Sequence, residues 1–292
     1  MTNTALLGPL AMISLRKLLK YVGLTLSPRG EVTRLYHPQN PSKKAGSILC
    51  PTLMQRKQWK HGDVSLEQLQ NSQYYNLWKK YNGGHKKYAY FELYDKLFKE
   101  YSGKQPRILE IGVYKGASLR TWREFLGQGS IIVGIDINPD CARHEDSAGG
   151  IHVRIGSQAD ESFLKNVTDE FGPFQFIIDD GSHLTHHVIA TFNYAFLHSL
   201  IDGGIYFIED LNTSYWADYR TSKYSAMDLV LSLCELTHQF YFENKYSDYA
   251  LSEYKQHYEI PLVSTLVNEV RVFDSAAAIY KKFHYPPLVF QT

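Results

Sequence analysis

The chain has 292 residues, with 31 Lys+Arg against 30 Asp+Glu and a formal net charge of +1. That balance excludes a strongly basic nucleic-acid binder on charge alone. With 44% hydrophobic and 21% charged residues the composition is that of a globular protein with a full core. The total hides a split, because residues 1–100 hold 16 Lys+Arg and 6 Asp+Glu (+10), and residues 101–292 hold 15 and 24 (−9).

Tyrosine is abundant, with 22 residues. Such a surplus suits sugar-like or amphipathic ligands, although plain packing is the favoured reading. Cys50, Cys141 and Cys234 form no CxxC pair, which points away from a zinc site or disulfide framework and toward a reducing cytoplasm. No apolar run of about 18 residues predicts a spanning helix. Ala5 to Leu15 is interrupted by Gly8-Pro9 and precedes its positive charges, the wrong order for a signal peptide.

In chain order, residues 10–22 read as an amphipathic basic helix with Leu10, Ile13, Leu18 and Val22 on one face. Such a helix can lie on an anionic membrane, but packing on a partner or on its own core is favoured. Residues 27–65, with Pro28, Pro38, Pro41 and Pro51, show no period and read as an extended arm. The predicted division is therefore 1–73, basic helix and arm, and 74–292, the main domain. An arm with little core of its own predicts a homo-oligomer. Ser65 with Gln68 has capping-box spacing for a helix start. From Tyr88 to Tyr101, the residues Phe91, Tyr94, Leu97, Phe98 and Tyr101 fall on one helical face.

From Arg107 the pattern alternates. RILEIGV, SIIVGIDI, GIHVRIG, FQFIIDD and GGIYFIED read as buried strands separated by helices, and EVRVFDS with AAAIYKKF as a closing pair. The fold class is α/β, a Rossmann-like doubly wound, mostly parallel sheet with a C-terminal antiparallel strand pair and an N-terminal helical or extended arm. Ligands in such sheets bind beyond the carboxyl ends of the strands. The first strand ends in Glu110, and Gly112 and Gly116 flank the turn into the next helix. A dinucleotide fingerprint needs glycine where Tyr114 stands, which disfavours an NAD oxidoreductase and suggests a nucleoside without phosphates. Asp136, at the second strand end, is placed to accept ribose hydroxyls. Gln158 or Asp160, after the third strand, is placed to face an adenine ring, with helix capping as the alternative for Asp160.

The series E-x-G-x-x-x-G, GID, a polar turn and an acidic fourth strand end resembles class I S-adenosylmethionine-dependent methyltransferases, over about residues 85–292. The resemblance implies that Glu110 and Gly112 lie near the methionine part of the cofactor, Asp136 near the ribose and Gln158 or Asp160 near the adenine. Gly116, Ser118, Asn138 and Asp179 complete the implied cofactor-binding set.

The fourth strand ends Asp179-Asp180-Gly-Ser-His183 and the fifth Glu209-Asp210. Adjacent strands would gather four carboxylates and a histidine. Carboxylates so close repel one another without positive charge, and neither motif contains Lys or Arg. A divalent cation is therefore expected, and oxygen ligands favour Mg2+ or Mn2+. Such an ion would acidify and orient a substrate hydroxyl, leaving His183 to remove its proton. IDDGSH with IEDLNTSYW is similar to the metal-dependent sugar O-methyltransferases of macrolide biosynthesis and to the related cephalosporin-hydroxylase and rhamnosyl-methyltransferase group. That resemblance implies Asp180, Glu209 and Asp210 as metal ligands, Asp180 and His183 as catalytic, and His183 as general base. Tyr215 and Trp216 are placed to stack on a sugar ring. GSQADESFL is similar to that group's G-D-Q-N-D turn, with Ser157 in place of Asp and Ala159 in place of Asn. The expected activity is methylation of a sugar hydroxyl on a small-molecule glycoside or a polysaccharide precursor. A catechol-type methyltransferase and a non-catalytic protein with the cofactor fold are the alternatives.

Overall fold

A computed structural model describes residues 67–81, 84–243 and 259–285, together with short pieces between residues 24 and 56. The expected basic helix over 10–22 and the expected helix start at Ser65 lie outside the described residues. Within the predicted arm, strands β1 (Leu24–Leu26) and β2 (Val32–Arg34) pair antiparallel, with Thr25 opposite Thr33. Three-residue strands are too short to show a period, which is why the arm reads as featureless.

A 3-10 turn over Glu67–Asn71 leads into helix α1 (Gln73–Lys80), whose N-cap is Ser72; its side chain accepts from the Tyr75 N–H. Helix α2 (Tyr88–Phe98) buries Tyr90, Phe91, Tyr94, Leu97 and Phe98, the stripe its spacing predicts. The last turn, Lys99–Tyr101, tightens to 3-10.

Seven strands form the central sheet: β3 (Arg107–Ile111), β4 (Ile131–Asp136), β5 (Ile151–Ile155), β6 (Phe174–Asp179), β7 (Leu200–Ile208), β8 (Val267–Phe273) and β9 (Ala276–Lys281). Their order is β5-β4-β3-β6-β7-β9-β8. The first five are parallel, and β9 and β8 add antiparallel. Helices α3 (Ala117–Leu126), α4 (Glu161–Phe171) and α5 (Thr185–His198) make the crossovers. Between β7 and β8, α6 (Ala226–Leu236) opens on a capping box of Ser225 and Asp228, and α7 (Gln239–Glu243) follows. Strand order reverses at β3, and the crevice of a doubly wound sheet opens at such a switch point. Among the described residues no helix is long and apolar enough to cross a membrane.

Side chains alternate across the sheet with a period of two. Ile108, Phe176, Ile178, Ile205 and Phe207 face one layer with Tyr74, Tyr94, Phe98 and Trp122 of α1–α3. Leu109, Ile177, Tyr206 and Ile208 face the other, with residues of α4–α6. The first layer is densely aromatic: Phe98 stacks on Phe176 at 4.5 Å between ring centroids and meets Trp122 edge-on at 5.4 Å. We expect Phe98→Ala to cost about 3–5 kcal/mol in urea unfolding; a loss below about 1 kcal/mol would mean that this layer collapses to fill the void.

Candidate functional site

The loop after β3 is shaped by one glycine and one carboxylate. Gly112 has φ +98, and a Cβ there would stand 2.2 Å from the Asp180 carbonyl oxygen. Only glycine lets these two strand ends approach so closely. Asp136, at the end of β4, accepts the Val113 and Tyr114 N–H groups on Oδ2 (2.9 and 3.1 Å) and the Asn138 N–H on Oδ1 (2.9 Å). Burial alone would raise this carboxyl, but those N–H groups outweigh it and hold it below its ordinary range.

This loop walls a cavity of about 460 Å³, a size that suits a small-molecule site. Of the residues expected to bind a cofactor, Gly112, Ser118, Asp136, Asn138 and Gln158 line it. Ile137, which the sequence reading missed, also lines it and stands 71% exposed; a bare apolar side chain beside Asp136 was the signal available. Gly116 (φ +65) lies behind the loop, where a Cβ would meet the His144 ring at 2.5 Å. Glu110 lies buried outside the cavity lining, 1% exposed, with both carboxylate oxygens lacking a hydrogen-bond partner. Burial pushes its pKa up to about 7, Lys86 opposing. A buried carboxylate without a partner is what the ammonium of an amino-acid moiety would satisfy.

Two expected cofactor residues are placed differently. Asp160 caps α4, accepting the Ser162 and Phe163 N–H groups, which is its capping alternative. Asp179 points to the opposite face of the sheet from Glu110, bonded by Tyr206 Oη at 3.0 Å and Gln158 Nε2 at 3.2 Å. Gln158 Oε1 in turn accepts the Ser182 N–H at 2.8 Å. Asp179 therefore holds a cavity residue instead of touching the cavity.

The remaining acids gather where β6 and β7 end side by side, Asp179 opposite Ile208. Part of their counter-charge comes from elsewhere in the chain, from lysines that neither motif contains. Lys86 Nζ donates to Asp180 Oδ2 at 2.8 Å and to both Glu209 oxygens at 3.0 Å. Lys87 Nζ bonds Asp210 and Asn212. Lys86 and Lys87 offset two of the three charges of Asp180, Glu209 and Asp210, so an added cation still has a charge to meet. Tyr94 donates to Glu209, and the Tyr90 hydroxyl lies 2.9 Å from Asp210 Oδ1 while accepting the Asp210 N–H. Burial and Asp180 push Glu209 up, against Lys86. Burial works against the Lys86 charge, but Asp180 and Glu209 prevail and keep it protonated well above its ordinary range.

One carboxylate oxygen of each aspartate remains turned outward. Among the described residues Asp180, His183 and Asp210 offer ligand atoms within 4.8 Å of one another. His183 Nε2 lies 3.7 Å from Asp180 Oδ1 and 3.8 Å from Asp210 Oδ2, beyond hydrogen-bond reach. The two carboxylates suit Mg2+ or Mn2+, with the His183 imidazole beside them. Of the expected ligands, Glu209 is the one held back, beneath the cluster with Lys86 and Tyr94. Tyr114, His183 and Asp210 have positive φ (+48, +56 and +53), strain of the kind that collects at functional sites.

A second cavity of about 240 Å³ opens on His85, Lys86, Lys87, Tyr90, Asp180, Glu209 and Asp210. His85, Lys86 and Asp180 line both cavities and form the partition between them. Tyr215 and Trp216 follow Asp210 on the surface, 43% and 53% exposed, and line neither cavity. Ring contacts connect Trp216 to the site: it lies 5.9 Å from Tyr219, which lies 6.3 Å from His183.

No protein-family model matches the chain. It is 38% identical over 160 residues to demethylmacrocin O-methyltransferase of Streptomyces fradiae, and 39% identical over 160 residues to mycinamicin VI 2''-O-methyltransferase of Micromonospora griseorubida; each match covers 50% of this chain and 39% of the relative. The chain thus spans about two fifths of the length of these curated relatives. Among solved structures it is similar to the MycE methyltransferase of the mycinamycin pathway in complex with Mg, SAH and mycinamycin VI, at 27% identity and TM-score 0.60, over 71% of this chain and 53% of that one. The resemblance carried by IDDGSH and IEDLNTSYW therefore extends over half of the chain in sequence and 71% of it in structure, and the fold is that of a class I methyltransferase.

A folded Glu110 pKa of about 7 against an ordinary 4.5 means that folding favours its protonated form. Stability from this group is full below pH 4.5 and is lost as pH rises to about 7. Relative to the parent, Glu110→Gln should gain about 3 kcal/mol between pH 4.5 and pH 8 in urea unfolding. A pH-independent difference would refute the strain on this carboxyl.

Proposed function

We propose that the protein is an S-adenosylmethionine-dependent, divalent-metal-assisted O-methyltransferase that acts on a sugar hydroxyl of a small-molecule glycoside or glycan precursor. The observation that carries this reading is the partition: a nucleoside-sized cavity and a polar acid-lined cavity meet at His85, Lys86 and Asp180. Such an arrangement sets a methyl donor against a hydroxyl acceptor. The curated relatives named above methylate sugars of natural products, which supports a sugar over an aromatic diol. The exposed Tyr215 and Trp216 suit the apolar face of a pyranose beside the acceptor cavity.

Asp136 and Gln158 would bind the ribose and adenine, Ile137 would cover the base, and Glu110 would take the amino group from below. Asp180 and Asp210 would hold the ion on their outward oxygens. When bound, the cofactor supplies an electrophilic methyl group and the divalent ion supplies positive charge beside the acceptor oxygen. His183 then has one task, to accept the hydroxyl proton on Nε2, which no protein hydrogen bond occupies. The acceptor hydroxyl would lie in line with that methyl group, at the partition formed by His85, Lys86 and Asp180. Positioning by that wall does most of the work.

We expect His183→Ala to lower kcat on a susceptible glycoside by about 100-fold or more, while S-adenosylhomocysteine binding, read by calorimetry, stays near that of the parent. Excess EDTA should stop turnover and Mg2+ restore it. Retained turnover in the variant removes His183 as base. A protein that does not bind S-adenosylhomocysteine removes the methyltransferase reading altogether.

A further inference from the structure

Lys86 stands out because its side chain is 5% exposed and it spends its whole charge on two acids. Its ammonium contacts Asp180 and both oxygens of Glu209 and lies 5.6 Å from the centroid of the Tyr94 ring. It comes from a short strap, residues 84–87, that joins Gly84 to α2. At its start Gly84 has φ +86 and packs on the Tyr114 ring, where a Cβ would lie 3.2 Å away. From the next position on this strap, Lys87 engages Asp210.

We infer that Lys86 is a tethered counter-ion that shares the acid cluster with a divalent cation by exchange, so that an ion drawing on Asp180 and Glu209 displaces the Lys86 ammonium from between them. The inference rests on the metal reading above. Glu209 has no route to an ion while Lys86 covers both of its oxygens. An ammonium and a dication on the same carboxylate repel each other strongly in so buried a place. Without either, Asp180 and Glu209 would be left unpaired. Lys86 thus keeps the folded chain intact before the ion arrives, and its departure both completes the ligand set and reshapes the wall through which donor and acceptor meet.

The test uses Mn2+ alone, with free Mn2+ read by electron paramagnetic resonance on the full chain and on Lys86→Met. The variant should bind Mn2+ about tenfold more tightly or better. Equal or weaker binding in the variant, with clear binding in the parent, overturns the exchange and leaves the metal reading standing. Binding by neither protein at millimolar Mn2+ overturns both. Because Lys86→Met leaves buried carboxylates uncompensated and can fail to fold, the parent is also pulse-labelled with acetic anhydride and read by mass spectrometry. Saturating Mn2+ should raise labelling of Lys86 several-fold. Lys281, buried against the Leu197 and Leu200 carbonyls with Nζ at 2.9 and 2.7 Å, should not change. Unchanged Lys86 labelling at saturating Mn2+ also overturns the exchange.

Discussion

The carboxyl edge of the sheet depends on how five carboxylates are kept from repelling one another. Glu110, Asp179, Asp180, Glu209 and Asp210 all sit at or just beyond the ends of three neighbouring strands. Lys86 resolves the worst of the conflict by standing between Asp180 and Glu209. Lys87 does the same for Asp210 at the more exposed end. Asp179 escapes by pleat parity, since it faces the other layer and finds Tyr206 and Gln158. Glu110 keeps no outlet to solvent, and burial raises its pKa against the opposing charge of Lys86.

The aromatic layer beneath this edge does more than fill space. Tyr94 and Tyr90 come from one face of α2, spaced one turn apart, and present hydroxyls to Glu209 and Asp210. The same rings pack on Phe207. Part of the tyrosine surplus is thus explained by rings that belong to the core and hydroxyls that belong to the acids. A phenylalanine in place of Tyr94 would keep the packing and leave the buried Glu209 carboxylate short of a donor. Rigid support of this kind lets His183 and Asp210 hold left-handed backbone that no neighbouring glycine relieves.

Much of the site was legible in the chain. The strands read as apolar runs because parallel strands bury both faces, and the functional residues sit where each run ends. Gly112 was legible because a turn after a strand needs its freedom. Lys86 and Lys87 were not: they lie 94 residues before Asp180 and 123 before Asp210, in a stretch that looks like an ordinary solvated start of a helix. Asp160 was ambiguous because ligand contact and helix capping use the same residue type. The charge split gains a concrete part from the fold, since Lys80, Lys86 and Lys87 of the basic first hundred residues pair with Glu124, Asp180, Glu209 and Asp210 of the acidic remainder.

The sequence by itself determined the α/β order, the strand ends that carry polar groups and the residue types of the proposed site, because hydrophobic period and strand length are local properties. It also contained the parity that sends Glu110 and Glu209 to one face and Asp179 to the other. Only the tertiary structure decided which charges meet. Ion pairing depends on through-space distance, and a strap remote in sequence brought Lys86 between two acids that their own motifs leave uncompensated. Glu209, a metal ligand by motif, is therefore held by an ammonium, while Asp180, His183 and Asp210 face the open side.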